Sequence, residues 1–546
     1  MRRAVARVLA AAALSVVVAA ATTAAVGAQN VASTDTPITD TQLHSYQQPT
    51  IAVDPGNAAH LAVSFQDGLQ TPPCYLAQSF DAGATWAVET VMGPGGKLAI
   101  PSGAFAYDTC RNQLIVFGPS GIMYYVVQVS SSTHYNFSEV VVTTTTDHGA
   151  TFTAPVVVST SDTTDSTDIG TFQPSAAVDP TNGELYVTWL HYRQFAGYTY
   201  VEVSSSTDNG KTFTNRQQLS TIDPNQLQQT GSTVVGVDAT GEVYVAWLDA
   251  LNWRNFKGGE FGSNPCPAYP AGCPPFSLLM RSSTDHGVTF SAQRTVDPAI
   301  TSGQNDPWRF SHLVSLAVGP AAGELSMDWT EPINGLNRIE FTHSTDAGTT
   351  WSTPLPVSPP PGLGADEQDR ALVSVSSNGR IDVAYYDLTP ADSSGNRLQN
   401  TYEASSTDSG VSFATPLKLT SAPSSTNVGP PNPGTDLARV SWFGRNFGLA
   451  SSGDTAYAAW TDSRRGTVDN TKQDVFFASV APAPAATSPQ AAPAPAAIAS
   501  QAATTAQPGF PNTGSSSGPA RFPAVALVLV VAASVGAVAA GRRRRR

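Results

Sequence analysis

The sequence predicts an all-β chain folded as a β-propeller of four-stranded blades, and three observations carry that prediction. An octapeptide of the form Ser/Thr-x-Asp-x-Gly-x-Thr/Ser-Trp/Phe occurs six times, its aspartates 66, 61, 77, 61 and 62 residues apart. A pair of alternating strands closing on an aromatic occurs seven times between and beyond the octapeptides. Residues 48–480 divided by seven give about 62 per unit, near that spacing, as a ring of repeated supersecondary units requires. Each pair, with one strand running into an octapeptide and one out, makes four strands, the content of a propeller blade. Seven pairs predict seven blades; six follow if one pair is decoration.

The octapeptides are Ser79–Trp86, Thr145–Phe152, Ser206–Phe213, Ser283–Phe290, Ser344–Trp351 and Ser406–Phe413. Aspartate accepts hydrogen bonds from backbone N–H groups just ahead of it, glycine supplies a positive φ, and the closing ring starts the next strand. Asp81, Asp147, Asp208, Asp285, Asp346 and Asp408 are therefore expected to hold turns. Each octapeptide has too few carboxylates for a calcium loop. His148 and His286 fall inside two of them and are expected at exposed turn positions.

The strand pairs run Ile51–Phe65, Phe105–Phe117, Ala177–Trp189, Val235–Trp247, Val314–Trp329, Leu372–Tyr386 and Gly448–Trp460. The last is followed by a third strand, Asp474–Val480, without an octapeptide. Its unit lacks an outer strand, which residues 40–48 are expected to supply; the N-terminal segment 29–47 is thus expected to close the ring. The insert Asn252–Pro275, rich in aromatics, stretches one spacing to 77 residues and forms either a ligand-stacking lip or a cover for a blade edge.

The two ends read differently from the middle. Residues 1–28 have Arg2, Arg3 and Arg7, an apolar run from Val8 to Val18 and small residues at Val26-Gly27-Ala28, the pattern of an export signal. Residues 481–509 are a Pro/Ala-rich linker. The segment 510–546 opens with Phe510-Pro511-Asn512-Thr513-Gly514, continues in an uncharged span, 522–540, and closes on five arginines. Such a span just crosses a bilayer, with the arginines on the cytoplasmic side. The formal charge of the chain is −13; setting aside the nine arginines of the two ends leaves 20 basic against 42 acidic side chains. A body that acidic repels a phosphate backbone, which argues against nucleic acid as a partner.

Cys74, Cys110, Cys266 and Cys273 lie in the exported body, where an even number points to two disulfides. Cys266–Cys273 with Cys74–Cys110 is the favoured pairing of three. Neither a Cys-x-x-Cys pair nor a histidine cluster accompanies them, so no metal site is read. No cofactor is expected, and the ring is expected to act as a monomer.

The tail resembles the cell-wall sorting signal of Gram-positive surface proteins, usually Leu-Pro-x-Thr-Gly, with Phe510 in the leucine position. The resemblance implies that a sortase cuts between Thr513 and Gly514 and joins Thr513 to the wall; a plain membrane anchor is the alternative, and either way the body is extracellular. The octapeptide resembles the Asp-box (BNR repeat) of bacterial sialidases, over residues 48–480. That resemblance implies a sialidase-like propeller and, for an enzyme, three arginines on a substrate carboxylate, a tyrosine nucleophile and an acid/base carboxyl. The family's first arginine stands in an Arg-Ile-Pro motif; the corresponding stretch here, Ser45–Ile51, has none.

Arg309, Arg370 and Arg445 each precede the first strand of a unit and are the candidates for the carboxylate grip. Tyr385 or Tyr386 is the candidate nucleophile, and Asp249 or Glu331 the acid. Asp387, Asp462 and Arg464 join them where strands leave the same end of the ring, and His191 and Tyr192 follow Trp189 there. Two readings remain open: a funnel that binds a glycan or surface protein, with exo-sialidase activity as the enzymatic form, or ion pairs that tie blades together.

Overall fold

The computed structural model describes residues 30–39, 44–68, 73–100, 107–131, 138–159, 168–193, 198–221, 229–250, 276–300, 314–357, 366–429, 447–467 and 472–483. They are all-β and form seven antiparallel sheets. Blade one comprises Tyr46–Asp54, Asn57–Asp67, Cys74–Ser79 and Ala87–Met92. Blade two comprises Thr109–Phe117, Met123–Ser130, Ser138–Thr145 and Val156–Val157, and blade three Asp168–Val178, Leu185–Arg193, Tyr198–Ser206 and Thr214–Gln218. Blade four follows with Gln229–Val237, Val243–Ala250, Phe276–Ser283 and Arg294–Ile300, then blade five with Val314–Val318, Leu325–Ile333, Leu336–Ser344 and Leu355–Pro356. Blade six comprises Glu367–Val375, Ile381–Leu388, Leu398–Ser406 and Leu417–Lys418, with Ser424–Ser425 added to its third strand. Gly448–Ser452, Thr455–Asp462 and Asp474–Pro482 make blade seven.

The first strands of successive blades pack side by side, and Gly448–Ser452 meets Tyr46–Asp54 to close the ring. Seven apolar clusters fill the seven gaps between blades. The second strands feed two gaps at once, because successive side chains alternate across the sheet. In Val243–Ala250, Val243, Val245 and Trp247 face blade three while Tyr244, Ala246 and Leu248 face blade five.

The outer strand of blade seven is Asn30–Ala32, paired with Val480–Pro482, and Thr36–Pro37 pairs further along the same strand at Phe476 and Phe477. The closing segment thus lies ahead of the 40–48 expected, because Tyr46 already belongs to the first strand of blade one. Of Phe105–Phe117, read as a strand pair, the described residues contribute one strand, Thr109–Phe117, which pairs with Met123–Ser130.

Each octapeptide joins the third and fourth strands of its blade. The pattern is uniform, as at Asp285: Ser283 Oγ donates to its Oδ1 (2.8 Å), Thr289 N–H donates to the same oxygen (2.8 Å) and Thr289 Oγ1 to Oδ2 (2.6 Å). The residue before each glycine is left-handed, His286 at φ 58° for instance. The glycine is needed for space as well as for its φ of 72–95°: a Cβ on Gly83 would stand 2.2 Å from Phe477, and one on Gly410 2.5 Å from Phe341, each in the preceding blade. The turn therefore also docks one blade on the last. Cys74 and Cys110 form a disulfide between blades one and two; Cys266 and Cys273 lie outside the described residues.

Candidate functional site

In blades one to six the first strand begins, and the second ends, at the sheet end opposite the octapeptide, and blade seven is strung in the same order without one. Near that end of each second strand, one position lies two residues past the side chain that fills the gap to the preceding blade. It holds Asp67, Val129, His191, Asp249, Glu331, Asp387 and Asp462 in blades one to seven. Six of the seven are ionisable, and the first strands beside them line the axis of the ring. Asp67 was missed by the sequence reading, although Phe65-Gln66-Asp67 has the same aromatic-x-acid spacing as Trp247-Leu248-Asp249.

A second regularity has no signature in the sequence. The first strand bulges at Gln48, Asn112, Gln173, Ser232 and Arg370, each at a φ between 48° and 56°. Non-glycine residues adopt that region rarely, and bulges of this kind re-aim side chains at sheet ends. The bulged residues stand beside the ring of ionisable positions.

Blade six concentrates the polar groups. Gln368 Nε2 donates to Asp387 Oδ2 (2.8 Å), and Arg338 of blade five donates to Gln368 Oε1 (2.8 Å) and to the carbonyl of Asp366 (2.6 Å). Burial pushes the Asp387 carboxyl up to about 6, against the Gln368 hydrogen bond, and the neighbouring Asp366 carboxyl adds to the rise. Arg370 is buried, with its N–H on Asp369 Oδ1 (2.9 Å) and its Nη1 3.7 Å from Asp369 Oδ2. Tyr385 and Tyr386 are fully buried on opposite faces of their strand, Tyr385 among the residues of the gap to blade five and Tyr386 in the gap to blade seven. Burial drives both phenols far above their ordinary value. The Tyr386 hydroxyl receives the Thr461 N–H (3.0 Å).

Blade seven uses its acid as a clasp. Arg464 donates through Nε (3.0 Å) and Nη2 (2.6 Å) to Asp462 Oδ2, reaches Asp35 Oδ2 through Nη1 (2.6 Å) and lies over the Phe476 ring at 4.4 Å. Asp35 belongs to the closing segment, so this triad fastens the ring shut. In blade five, Trp329 Nε1 donates to Glu331 Oε2 (3.3 Å), and burial with the nearby Glu331 and Asp297 carboxylates pushes Glu340 up to about 7. Asp249 is buried at the strand end of blade four. In blade three His191 is buried beneath a stacked Tyr200, its Nδ1 2.9 Å from Glu202 Oε2. Arg309, Arg445, Thr513 and Gly514 lie outside the described residues, as do the 252–275 insert and the 522–540 span.

Among the described residues no group of three or more His, Cys, Asp or Glu side chains is placed to hold a metal, and no helix is long and apolar enough to cross a membrane. The chain matches no protein-family model and no curated protein sequence. It is similar to several solved structures. A Dyadobacter fermentans protein of unknown function shares 11% identity over 83% of this chain and 99% of that one, with a TM-score of 0.42. A Hadza microbial sialidase shares 14% over 77% and 73%, with a TM-score of 0.43. An α-L-arabinofuranosidase from Fusarium graminearum shares 12% over 65% and 92%, with a TM-score of 0.40. Likeness at this level carries no argument about activity or ligand, and the ring rests on the seven sheets themselves.

Proposed function

We propose that this chain is an exported, surface-anchored propeller that binds glycans at the channel mouth where its second strands end. The observation that carries the reading is the recurrence of an ionisable side chain at one register position in six of seven blades. Five of the six are buried, and Asp67, His191, Asp387 and Asp462 hold protein partners that set the shape of that end; the part-exposed Glu331, and His44 beside Asp67, are the groups that can offer acceptors to a hydroxyl-rich ligand. The acidic body favours neutral over sialylated glycans, because its long-range repulsion opposes a charged sugar. Export and anchoring rest on the two terminal sequence patterns, and the Cys74–Cys110 disulfide fits an oxidising compartment.

The test is retention of the purified mature body on a panel of immobilised neutral and sialylated glycans. Neutral glycans should be retained, and Asp387→Asn should weaken retention about tenfold. Retention of proteins alone, or of sialylated glycans alone, would overturn the neutral-glycan reading.

A second reading, glycoside hydrolysis, is favoured by one observation. Asp387, held near half-protonation at about pH 6 beside a second carboxyl, has the property required of a general acid. Under that reading the chain releases sugar from a bound glycan, and Asp387→Asn abolishes release while leaving retention measurable. Retention without release would restrict the chain to binding.

A further inference from the structure

His44 is a pinned imidazole with one nitrogen to spare. It lies two residues before the first strand of blade one, and Asp67 ends the second; Tyr46 and Asp67 are direct cross-strand partners. The pair thus stands at the same sheet end as Gln368 and Asp387. His44 Nδ1 lies 2.6 Å from Asp67 Oδ2. An ionised carboxylate only accepts, so Nδ1 is the donor and, in the neutral ring, Nε2 is left as an acceptor. Asp67 is 1% exposed and receives the Ser45 N–H on its other oxygen (3.3 Å), which fixes the carboxylate plane. The imidazole is stacked on Tyr46 at 5.3 Å, which fixes the ring plane, yet its side chain is 37% exposed.

The other described histidines that meet a carboxylate are built differently. His60 uses both ring nitrogens, on Asp54 (3.0 Å) and Gln78 (3.1 Å), and is 1% exposed. His191 is likewise 1% exposed. His286 is exposed, but it sits in an octapeptide at the opposite sheet end, 3.6 Å from Asp179. Of these, only His44 combines a carboxylate on Nδ1, a stacked ring and a part-exposed side chain at the sheet end where the second strands stop, among the described residues.

We infer that His44 Nε2 is a ligand-contacting acceptor for a sugar hydroxyl at the channel mouth, with Asp67 as the positioning residue that sets its tautomer. This rests on the glycan reading above and names the contact within it. Glutamine in place of His44 would keep size and polarity but offers no ring acceptor at that point. Asparagine in place of Asp67 would lose the charge that selects the Nδ1–H form.

The experiment uses the mature body and the neutral glycan best retained on the panel, with two readouts. Long-range ¹H–¹⁵N spectra of the histidine rings, without ligand, should show His44 in the Nδ1–H form, and Asp67→Asn should shift it toward the Nε2–H form. Binding of the retained glycan should weaken about tenfold in His44→Gln and in Asp67→Asn, with the Nε2 resonance of the wild type moving on saturation. An Nε2–H tautomer in the wild type, or unchanged affinity in His44→Gln, overturns the contact while the glycan reading stands. Retention of no glycan by the wild type overturns the glycan reading and the contact with it. Folding of each variant is read from the unchanged resonances of the buried His60 and His191 rings.

Discussion

Blades three and five put a glutamate in the same place and treat it in opposite ways. Glu202 faces Trp189 across the second and third strands of blade three, as Glu340 faces Trp329 in blade five. In blade three, burial would raise the carboxyl, but hydrogen bonds from His191 (2.9 Å) and Arg216 (3.1 and 2.9 Å) outweigh it and hold Glu202 below its ordinary value. Trp189 Nε1 adds a fourth bond at 3.0 Å. In blade five the position of His191 is taken by Glu331, and no cation among the described residues pairs with Glu340. Burial and the carboxylates of Glu331 and Asp297 then push it up to about 7. One backbone position can hold either a neutralised anion or a stored proton, and the neighbours decide which. The bare repeat therefore locates polar positions without assigning their work.

The largest effect is expected from dismantling the blade-three network. His191→Ala removes a buried ring and leaves Glu202 with only part of its compensation, a situation that costs about 3–5 kcal/mol. The denaturant midpoint of the mature body should fall accordingly, and adding Glu202→Gln should return a large share of the loss, because the two residues act as a coupled pair. A loss below about 1 kcal/mol would mean that Glu202 is as tolerant of isolation as Glu340, and the contrast between the blades would fail.

The same contrast explains what the sequence made legible. Strand alternation and turn chemistry are local, so the repeat, the blade count and the octapeptide turns could be read directly. The closing strand could not, since Asn30–Ala32 is too short to carry a pattern and is defined only by its partner 450 residues on. Aromatic-x-acid spacing located Asp249, Glu331, Asp387 and Asp462, and the same signal was available for Asp67. What each acid does depends on residues remote in sequence. Asp35 turns Asp462 and Arg464 into a clasp, while Asp366 and Arg338 surround Asp387. Tyr385 and Tyr386 looked equivalent as nucleophiles because nothing local tells which gap a strand residue fills; the structure buries one in each gap. The left-handed φ of Arg370 had no glycine to announce it.

A smaller effect would sharpen the comparison from the side of blade five. Glu331→His supplies the imidazole that blade three has and removes one neighbouring carboxylate, and Glu340 should then titrate clearly below about 7. Carboxyl NMR reads this directly. The sign for stability follows from linkage: the unfolded carboxyl ionises near 4.5 and the folded one near 7. The contribution of Glu340 is therefore fully present below about pH 4.5 and lost as pH rises to about 7. Glu340→Gln should remove that slope and leave the protein relatively more stable than wild type above pH 7. Persistence of the slope in the glutamine variant would place its origin elsewhere, Asp328 being the first suspect, since burial raises its carboxyl to about 7 as well.

The smallest effect is expected at the octapeptides, whose carboxyls are exposed and shifted the other way. The Thr289 hydroxyl and N–H, with the Ser283 hydroxyl, lower Asp285 to about 2. A depressed carboxyl contributes stability that is present above its unfolded value of 3.8 and is lost as pH falls through about 2. Asp285→Asn keeps the shape of the side chain but cannot accept at both oxygens. The variant should be slightly less stable than wild type at pH 7, and the difference should vanish as pH falls from about 4 to about 2. Glycan retention should be untouched, because this turn lies at the sheet end away from the channel mouth. A pH-independent loss would mean that the carboxylate charge does no work in the turn, and that its geometry alone docks blade four against Tyr186 of blade three through Gly287.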